Sequence, residues 1–316
     1  MKMPLACATR TKRMKSQSAM EYLMTYGWAI LIIATVLIAL FALGVFNTTN
    51  TVPKVPPNTC RVFRPNGPGT TAFINLQGLC SGVLPDFVMR SSGVGDYVQI
   101  ANSNSQSSLL NIQGSQITIT AWVYISGSPF HDVVDKEYQY GMKLNYDNYP
   151  HQCTPSNYVG LCLEWDTSND WNGISFPIPY ATFNQWIFVA VTMDGNYKYW
   201  YANGQPIGNE IVSGSISYVS SNVVIGAIST GYSGYGEAEW FNGDLANVQI
   251  YNESLTPQDI QNMYINGIGG PPLALQSLVG WWPLNGDTND YSGNSENGYI
   301  YNNAFSGSWV QNYTIT

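Results

Sequence analysis

Two carboxylates in the stretch EWDTSND, Glu164 and Asp166, are spaced so that both could take part in one reaction. Side chains alternate between the two faces of a β-strand, so residues two apart lie on the same face. A pair of carboxyl groups on one face can supply the nucleophile and the acid/base of glycoside hydrolysis. The alternative interpretation is a strand that runs into a polar loop, which requires no catalysis.

A second cluster of oxygen-bearing side chains lies in NGDTNDYSGN, near the C-terminus. Calcium takes carboxylate, amide and other oxygen ligands, and this stretch supplies Asp287, Asn289, Asp290 and Ser292. Asx and Gly clusters are also what tight turns require. Calcium is therefore a candidate cofactor, and the sequence predicts no other.

The cysteines indicate disulfides. Removal of Cys7 with an N-terminal leader leaves four, Cys60, Cys80, Cys153 and Cys162, and an even number is typical of an oxidising compartment. Three pairings are possible, and short loops favour Cys60 with Cys80 and Cys153 with Cys162. A metal site is the alternative, but no CxxC spacing accompanies the histidines His131 and His151.

Aromatic side chains beside amides and acids could stack on sugars. The candidate binding residues lie in STGYSGYGEAEWFNG and around the EWDTSND acids: Tyr232, Tyr235, Trp240, Trp165 and Trp171. The chain has 22 Tyr and 10 Trp, so several of them must belong to the core. The glycine-rich GYSGYGE stretch leaves little to bury, which favours a contact surface there.

The charge of the chain excludes one class of partner. The 316 residues contain 12 Lys and Arg against 20 Asp and Glu, a net charge of -8. Five of the basic residues are Lys2, Arg10, Lys12, Arg13 and Lys15. The remainder is more acidic still and repels nucleic acid. Three N-x-S/T sequons are candidate glycosylation sites: Asn47, Asn252 and Asn312.

The N-terminal part of the chain predicts a membrane-spanning helix, which would anchor the acidic remainder of the chain. Trp28 to Phe46 is a run of nineteen residues without a charge, and about 20 residues cross a bilayer as a helix. The basic residues before it predict a cytoplasmic N-terminus, with the rest of the chain outside the cell. The run is longer than the core of a cleaved secretory signal, whereas a plain signal anchor stays an alternative.

The stretch KSQSAMEYLM before this run resembles the class III signal peptide of archaeal type IV pilin-like proteins. The resemblance implies that a prepilin-type peptidase cuts the leader, residues 1–16, between Ser16 and Gln17. Residues 17–46 would then form the membrane helix, with Glu21 as fifth residue of the mature chain. In that family this Glu meets the new α-amino group of a neighbouring pilin subunit. Ser18 and Ala19 depart from the commonest pattern of that family.

The exported part, residues 60–316, follows a spacer rich in Pro, Thr and Asn, residues 47–59. It reads as strand after strand, with hairpin turns at Asp194-Gly195 and Asn203-Gly204. One helix is predicted after Thr256, where Pro257 and Asp259 complete its N-terminal cap. Short strands at this spacing predict a mainly β, two-sheet antiparallel sandwich.

The order of these strands resembles the laminin G or concanavalin A-like jelly roll. It is carried by GDYVQI, ITITAWVY, FNQWIFVAVTMDGNYKYWYANGQPIG, VVIGA and FNGDLANVQIYNESLT. Some glycoside hydrolases of this fold add a third acid, but here its positions hold Ser168 and Asn169, and Asp170 comes later. We therefore predict no catalytic residue and no enzyme activity. The family's usual calcium aspartates are replaced by Ser92 and Ala246.

The C-terminal stretch 278–302 resembles the first strands of such a domain, yet it comes last. Too few residues follow it for a second domain, and an exposed LVGWWPL strand would be prone to aggregate. We therefore predict that it folds back beside GDLANVQIYN, with Trp281 or Trp282 buried against Val248 and Ile250. The sandwich would then be circularly permuted.

Together these observations predict a single-pass membrane protein with an extracellular laminin G-like domain. The expected function is a pilin-like adhesin or pilus subunit that binds glycans or surface proteins. An uncleaved, anchored structural protein and a glycan-cleaving enzyme are the alternatives.

Overall fold

The computed structural model divides into two compact units, Met1–Lys54 and Val55–Thr316. The residues that it describes are 16–42, 60–82, 84–127, 130–147, 160–168, 174–179, 183–212, 214–228, 240–301 and 309–311.

The first unit contains helix α1, Ser16–Ala42. Its sequence is rich in Leu, Ala and Met, which favour helix, and Thr35 donates its hydroxyl proton to the Leu31 and Ile32 carbonyls, each at 2.9 Å. Within the described part of the chain, no helix combines the length and the apolarity needed to cross a membrane. Residues 1–15 of the leader, the linker 47–59 and the side chains of Ser16, Gln17 and Glu21 lie outside the described residues.

The second unit is built almost entirely of strands. Its first nine are β1 Arg61–Phe63, β2 Asn75–Gln77, β3 Phe87–Ser92, β4 Tyr97–Ile100, β5 Ile117–Ile125, β6 Phe130–Lys136, β7 Tyr140–Asp147, β8 Gly160–Thr167 and β9 Ser175–Pro177. The remaining elements are β10 Trp186–Met193, β11 Tyr197–Ala202, β12 Gln205–Ile211, β13 Val224–Ile225, β14 Asn242–Tyr251, α2 Pro257–Asn266, β15 Leu278–Trp282, β16 Gly298–Tyr301 and β17 Trp309–Gln311.

These strands form two large antiparallel sheets and one small hairpin. The eight-stranded sheet has the order β12-β11-β10-β5-β14-β3-β17, with β15 also paired to β14. The seven-stranded sheet has the order β16-β4-β13-β6-β7-β8-β9. The hairpin of β1 and β2 is separate. The prediction of a mainly β sandwich is confirmed.

The hydrophobic core lies between the two sheets. On β5, Ile117, Ile119, Ala121 and Val123 belong to it. Trp122 points to the other face, where it stacks on Tyr264 of α2, with ring centroids 5.8 Å apart. An alternation of polar and apolar residues would suggest a strand buried on one side only. Because α2 covers the second face, β5 is buried on both sides.

Local turn and capping signals determine where the elements begin and end. Asn203 and Gly204 both have positive φ, 48° and 75°, in the two-residue turn between β11 and β12. Thr256 caps α2 in a capping box with Asp259, and Pro257 occupies the first turn. Gly267 has a φ of 76° after the last turn, and its N–H donates to the Tyr264 carbonyl.

The C-terminal strands join the same sandwich. Strand β15 pairs with β14, so that Trp282 lies opposite Val248 and Trp281 opposite Gln249. Both tryptophans are buried. Strand β16 pairs with β4 in the other sheet. The last described strands therefore contribute to both layers.

One predicted disulfide is confirmed. Cys60 and Cys80 are bonded, with their Cα atoms 4.8 Å apart, and the bond closes the loop that contains the β1-β2 hairpin. Cys162 is also disulfide-bonded. Its predicted partner, Cys153, lies outside the described residues, so that pairing stays a prediction.

Candidate functional site

The candidate site is the outer face of the seven-stranded sheet. On β8, Leu161, Leu163 and Trp165 point into the core between the sheets. Strand alternation then places Glu164 and Asp166 together on the opposite face. The predicted sharing of one face by these two acids therefore agrees with the structure.

The strand register surrounds the two acids with polar partners. Lys143 on β7 lies opposite Glu164, and its Nζ is 3.1 Å from Asp166 Oδ2. From β9, Ser175 Oγ donates to Glu164 Oε2 at 3.2 Å. Asn145 Nδ2 donates to the same oxygen. Side chains from the two strands beside β8 thus converge on Glu164.

Two more carboxylates lie on this face. On β6, Asp132 pairs with Lys143 and Asp135 with Gly141, on either side of a β-bulge. Both side chains are fully buried. At Gly141 a Cβ atom would come within 2.9 Å of Asp135 Oδ1, so the absence of a side chain there makes room for the carboxylate. We call these residues the acid cluster: Asp132, Asp135, Lys143, Asn145, Glu164, Asp166 and Ser175.

The environment of the acid cluster favours a neutral Glu164. The pKa of Glu164 is raised to about 7. Burial is the largest cause and the charge of Asp166 is the next, while Lys143 and the hydrogen bonds from Ser175 and Asn145 act in the opposite direction. The Lys143 ammonium lies against Asp166. The two acids therefore differ in their surroundings: Asp166 contacts a cation, whereas Glu164 accepts hydrogen bonds from neutral donors.

The third acid position of the hydrolytic pattern falls at the end of β8. A third acid is absent from the described end of β8, where Ser168 Oγ accepts a hydrogen bond from the Ser217 N–H at 2.8 Å. Asp170 lies outside the described residues. Among the residues that the structure covers, no group of three or more His, Cys, Asp or Glu side chains is placed to hold a metal ion. Within the acid cluster, Glu164 and Lys143 are partly exposed and can contact a ligand, whereas the other members are buried.

Comparison with known proteins assigns the family. The sequence profile described as the concanavalin A-like lectin/glucanases superfamily matches residues 92–261. The chain belongs to this superfamily. No protein with a curated description matches its sequence.

Several solved structures resemble this superfamily member. One is a Bacteroides ovatus protein assigned a carbohydrate-binding role, at 16% identity and a TM-score of 0.53, covering 72% of this chain and 61% of that one. The chain thus spans about three-fifths of that protein's length. A pentraxin from Limulus polyphemus is 19% identical with a TM-score of 0.45, covering 60% of this chain and 86% of the other. The likeness to the Bacteroides ovatus protein shows the fold.

The structure corrects one of the aromatic candidates. Trp165 is 0% exposed and packs edge-on against Trp200, with ring centroids 5.9 Å apart. It is a core residue of the superfamily fold and cannot contact a ligand, because it alternates with the two outward-facing acids. Trp240 is half-buried. Tyr232, Tyr235 and Trp171 lie outside the described residues.

The candidate calcium loop is held by its own hydrogen bonds. Asp290 Oδ1 accepts the N–H groups of Trp281 and Ser292, and its Oδ2 accepts the Ser292 hydroxyl and the Glu296 N–H. Asp287 accepts from Asn289 and Tyr291. Burial raises the pKa of the Asp290 carboxyl. Asp290 therefore stabilises the loop, and the calcium prediction gains no support from this geometry.

The glycosylation candidates fall partly outside the described residues. Asn252 is exposed to solvent just after β14. Its backbone N–H donates to the Ser277 carbonyl at 2.9 Å. Asn47 and Asn312 are not among the described residues.

Sequence reasoning missed most of the acid cluster. Asp132, Asp135, Lys143 and Asn145 come from two strands before β8 and carry no motif. The only available signal was polar residues within strands of apolar character. Such residues are costly to bury without partners, so they indicate a shared polar site, but only the register shows which of them meet.

Proposed function

We propose that this chain is a binding protein displayed on the cell surface, and that its concanavalin A-like domain binds glycans or surface proteins. The observation that carries the proposal is the acid cluster on the outer face of the seven-stranded sheet. Its Glu164 and Lys143 are partly exposed, with buried Asp166, Asn145 and Ser175 around them, and it lacks the third acid of the hydrolytic pattern. The carbohydrate-binding role assigned to the Bacteroides ovatus protein of similar fold supports a glycan ligand.

We also propose that the first unit anchors this domain as a pilin-like membrane helix. The support is the sequence: a basic leader, Glu21 four residues after Gln17, and the uncharged run Trp28 to Phe46. Part of that run lies outside the described residues. In this proposal a prepilin-type peptidase removes residues 1–16, other pilin subunits pack against the helix, and the domain faces the exterior.

Glycan binding can be tested with the full chain solubilised in detergent and a printed array of neutral and acidic oligosaccharides. The variant is Glu164→Ala, and the matched control is Glu253→Ala, which removes an exposed glutamate from the segment after β14. We expect wild type and control to bind the same glycans, and Glu164→Ala to weaken that binding at least tenfold while keeping its far-UV circular dichroism.

Two results would contradict the proposal. One is that wild type binds no glycan and no surface protein from the same cells. The other is that Glu164→Ala binds like the control. Release of reducing ends from a bound oligosaccharide would instead support the hydrolase alternative.

A further inference from the structure

The far edge of the seven-stranded sheet carries three tyrosines on its outer face. Strand β16 pairs with β4, which places Tyr299 opposite Gln99 and Tyr301 opposite Tyr97. The alternate residues point inward, since Val98 is a core residue and Ile300 packs against the core. Tyr97, Tyr299 and Tyr301 therefore lie on one face, and we call them the tyrosine platform.

The tyrosine platform is open to solvent and its geometry is fixed. Tyr299 is 64% exposed and Tyr301 is 42% exposed. The Tyr301 ring stacks on the Tyr97 ring, with centroids 4.8 Å apart and an angle of 8° between the planes. A stacked ring loses little further conformational freedom when a ligand covers it, so the platform is ready to bind a flat apolar surface.

The tyrosine platform and the acid cluster belong to the same face of one sheet. The register is continuous from Gln99 to Val224, from Val224 to Asp135, from Asp135 to Gly141, and from Gly141 to Asp166. Neighbouring strands lie about 4.8 Å apart, so the four steps from β4 to β8 cover roughly 19 Å. A ligand that reached both would be an extended chain rather than a single ring.

The chemistry around the platform favours a neutral ligand. Strands β4 and β16, YVQI and GYIY, contain no charged residue. They therefore offer no cation that could pair with an anionic glycan. Aromatic rings with a few polar groups, such as the Gln99 amide, are what a site for a partly apolar ligand requires, and one face of a pyranose ring presents C–H groups of that kind.

We propose that the tyrosine platform is a stacking subsite for neutral pyranose units of an oligosaccharide. The inference rests on the proposed glycan binding at the acid cluster and adds a second contact to it. Tyr299 and Tyr301 supply the ring faces, Tyr97 holds Tyr301 in place, and Gln99 offers hydrogen bonds to sugar hydroxyls.

The test measures binding of the full chain in detergent to three neutral hexasaccharides, cellohexaose, xylohexaose and mannohexaose, and to two acidic probes, sialyllactose and hexagalacturonate. The variants are Tyr299→Ala with Tyr301→Ala, and the same two positions changed to Phe. The control is Tyr197→Ala, which removes a tyrosine of similar exposure, 38%, from the eight-stranded sheet.

We expect a neutral hexasaccharide to bind wild type and the Tyr197→Ala control alike. The double Ala variant should lose at least tenfold in affinity, and the double Phe variant should recover most of it, because Phe keeps the ring faces. All variants should keep their thermal unfolding midpoints within a few degrees, since the rings removed are exposed.

The inference is overturned if the double Ala variant binds like wild type, or if only the acidic probes bind. It is also overturned if wild type is a dimer by light scattering that the double Ala variant abolishes without a change in glycan affinity, because the platform would then be a contact between two copies. If wild type binds no glycan, the proposed function fails with it. If Glu164→Ala loses binding and the double Ala variant does not, only the tyrosine platform is wrong.

Discussion

At the scale of single residues, Glu164 links the candidate site to the stability of the fold. Its carboxyl group accepts hydrogen bonds from Ser175 and Asn145, and Lys143 contacts Asp166 instead. Burial, followed by the charge of Asp166, raises the pKa of Glu164 to about 7. A carboxyl group in such a position is a better hydrogen-bond donor to a ligand below neutral pH than above it.

The same shift predicts a pH-dependent effect of Glu164→Gln. Below the ordinary pKa near 4.5, Glu164 is protonated in the folded and the unfolded chain, so the variant should differ little in stability. As the pH rises from about 4.5 to about 7, the unfolded chain loses this proton while the folded chain keeps it, so wild-type stability falls, whereas Gln cannot ionise. We expect Glu164→Gln to be more stable than wild type by about 2 kcal/mol above pH 7.5, allowing for partial exposure.

Urea unfolding at pH 4.5, 6 and 8 measures this difference. The exposed Glu253→Gln is the matched control, and its difference from wild type should stay the same at all three values. A stability gain of Glu164→Gln that does not grow with pH would show that Glu164 ionises in the folded protein as readily as in the unfolded chain.

At the scale of elements, local signals predicted the strands and the helix well. The Asn203-Gly204 turn and the Thr256 capping box depend on neighbours in sequence, so the residues themselves specify them. The burial of Trp165 could have been inferred in the same way, because a strand that points Glu164 and Asp166 outward must point Trp165 inward. What could not be inferred is the contact of Lys143 with Asp166 or of Tyr97 with Tyr301. These depend on which strands pair and in which register.

Strand β15 shows why a long-range pairing can still be anticipated. Its tryptophans are too apolar to leave exposed, and the sequence therefore predicted that this stretch folds back beside GDLANVQIYN, the segment that forms β14. The structure adds the polar contacts that hold the strand. Trp281 Nε1 donates to Asn247 Oδ1 at 2.7 Å, and Trp282 Nε1 donates to the Glu296 carbonyl at 2.9 Å. Asn247 also donates to the Gly270 carbonyl, so one side chain connects β14, β15 and the segment after α2.

Replacement of Trp282 tests whether β15 is integral to the sandwich. Trp282 is fully buried, and Trp→Ala at such a site removes a large side chain and leaves a cavity, at a cost of about 3–5 kcal/mol. We expect a loss of that size in urea unfolding. The control is Ile265→Ala on α2, where the side chain is 69% exposed and the change should stay within ~0.5 kcal/mol. Equal effects of the two changes would mean that β15 is dispensable.

At the scale of the whole molecule, the chain divides its charge between two units of different character. The first contains five basic residues before an uncharged run, and Glu21 is its single acid. The second contains all the other acids, and the residues proposed to bind a ligand lie on one face of one sheet. In the proposed arrangement, the N-terminal helix is the element that holds this domain at the cell surface.

The proposed processing of the first unit gives the last prediction. If a prepilin-type peptidase cuts between Ser16 and Gln17, intact mass measurement of the purified surface protein should show a chain that begins at Gln17. Glu21→Ala should then leave membrane insertion unchanged, because the apolar run is untouched. It should reduce chemical cross-linking between subunits severalfold, because the ion pair between Glu21 and a neighbouring α-amino group is lost.

Thr35→Ala in the same helix is the control and should cross-link like wild type. A surface protein that retains Met1 would instead indicate a plain signal anchor, whose helix has no new α-amino group for Glu21 to meet.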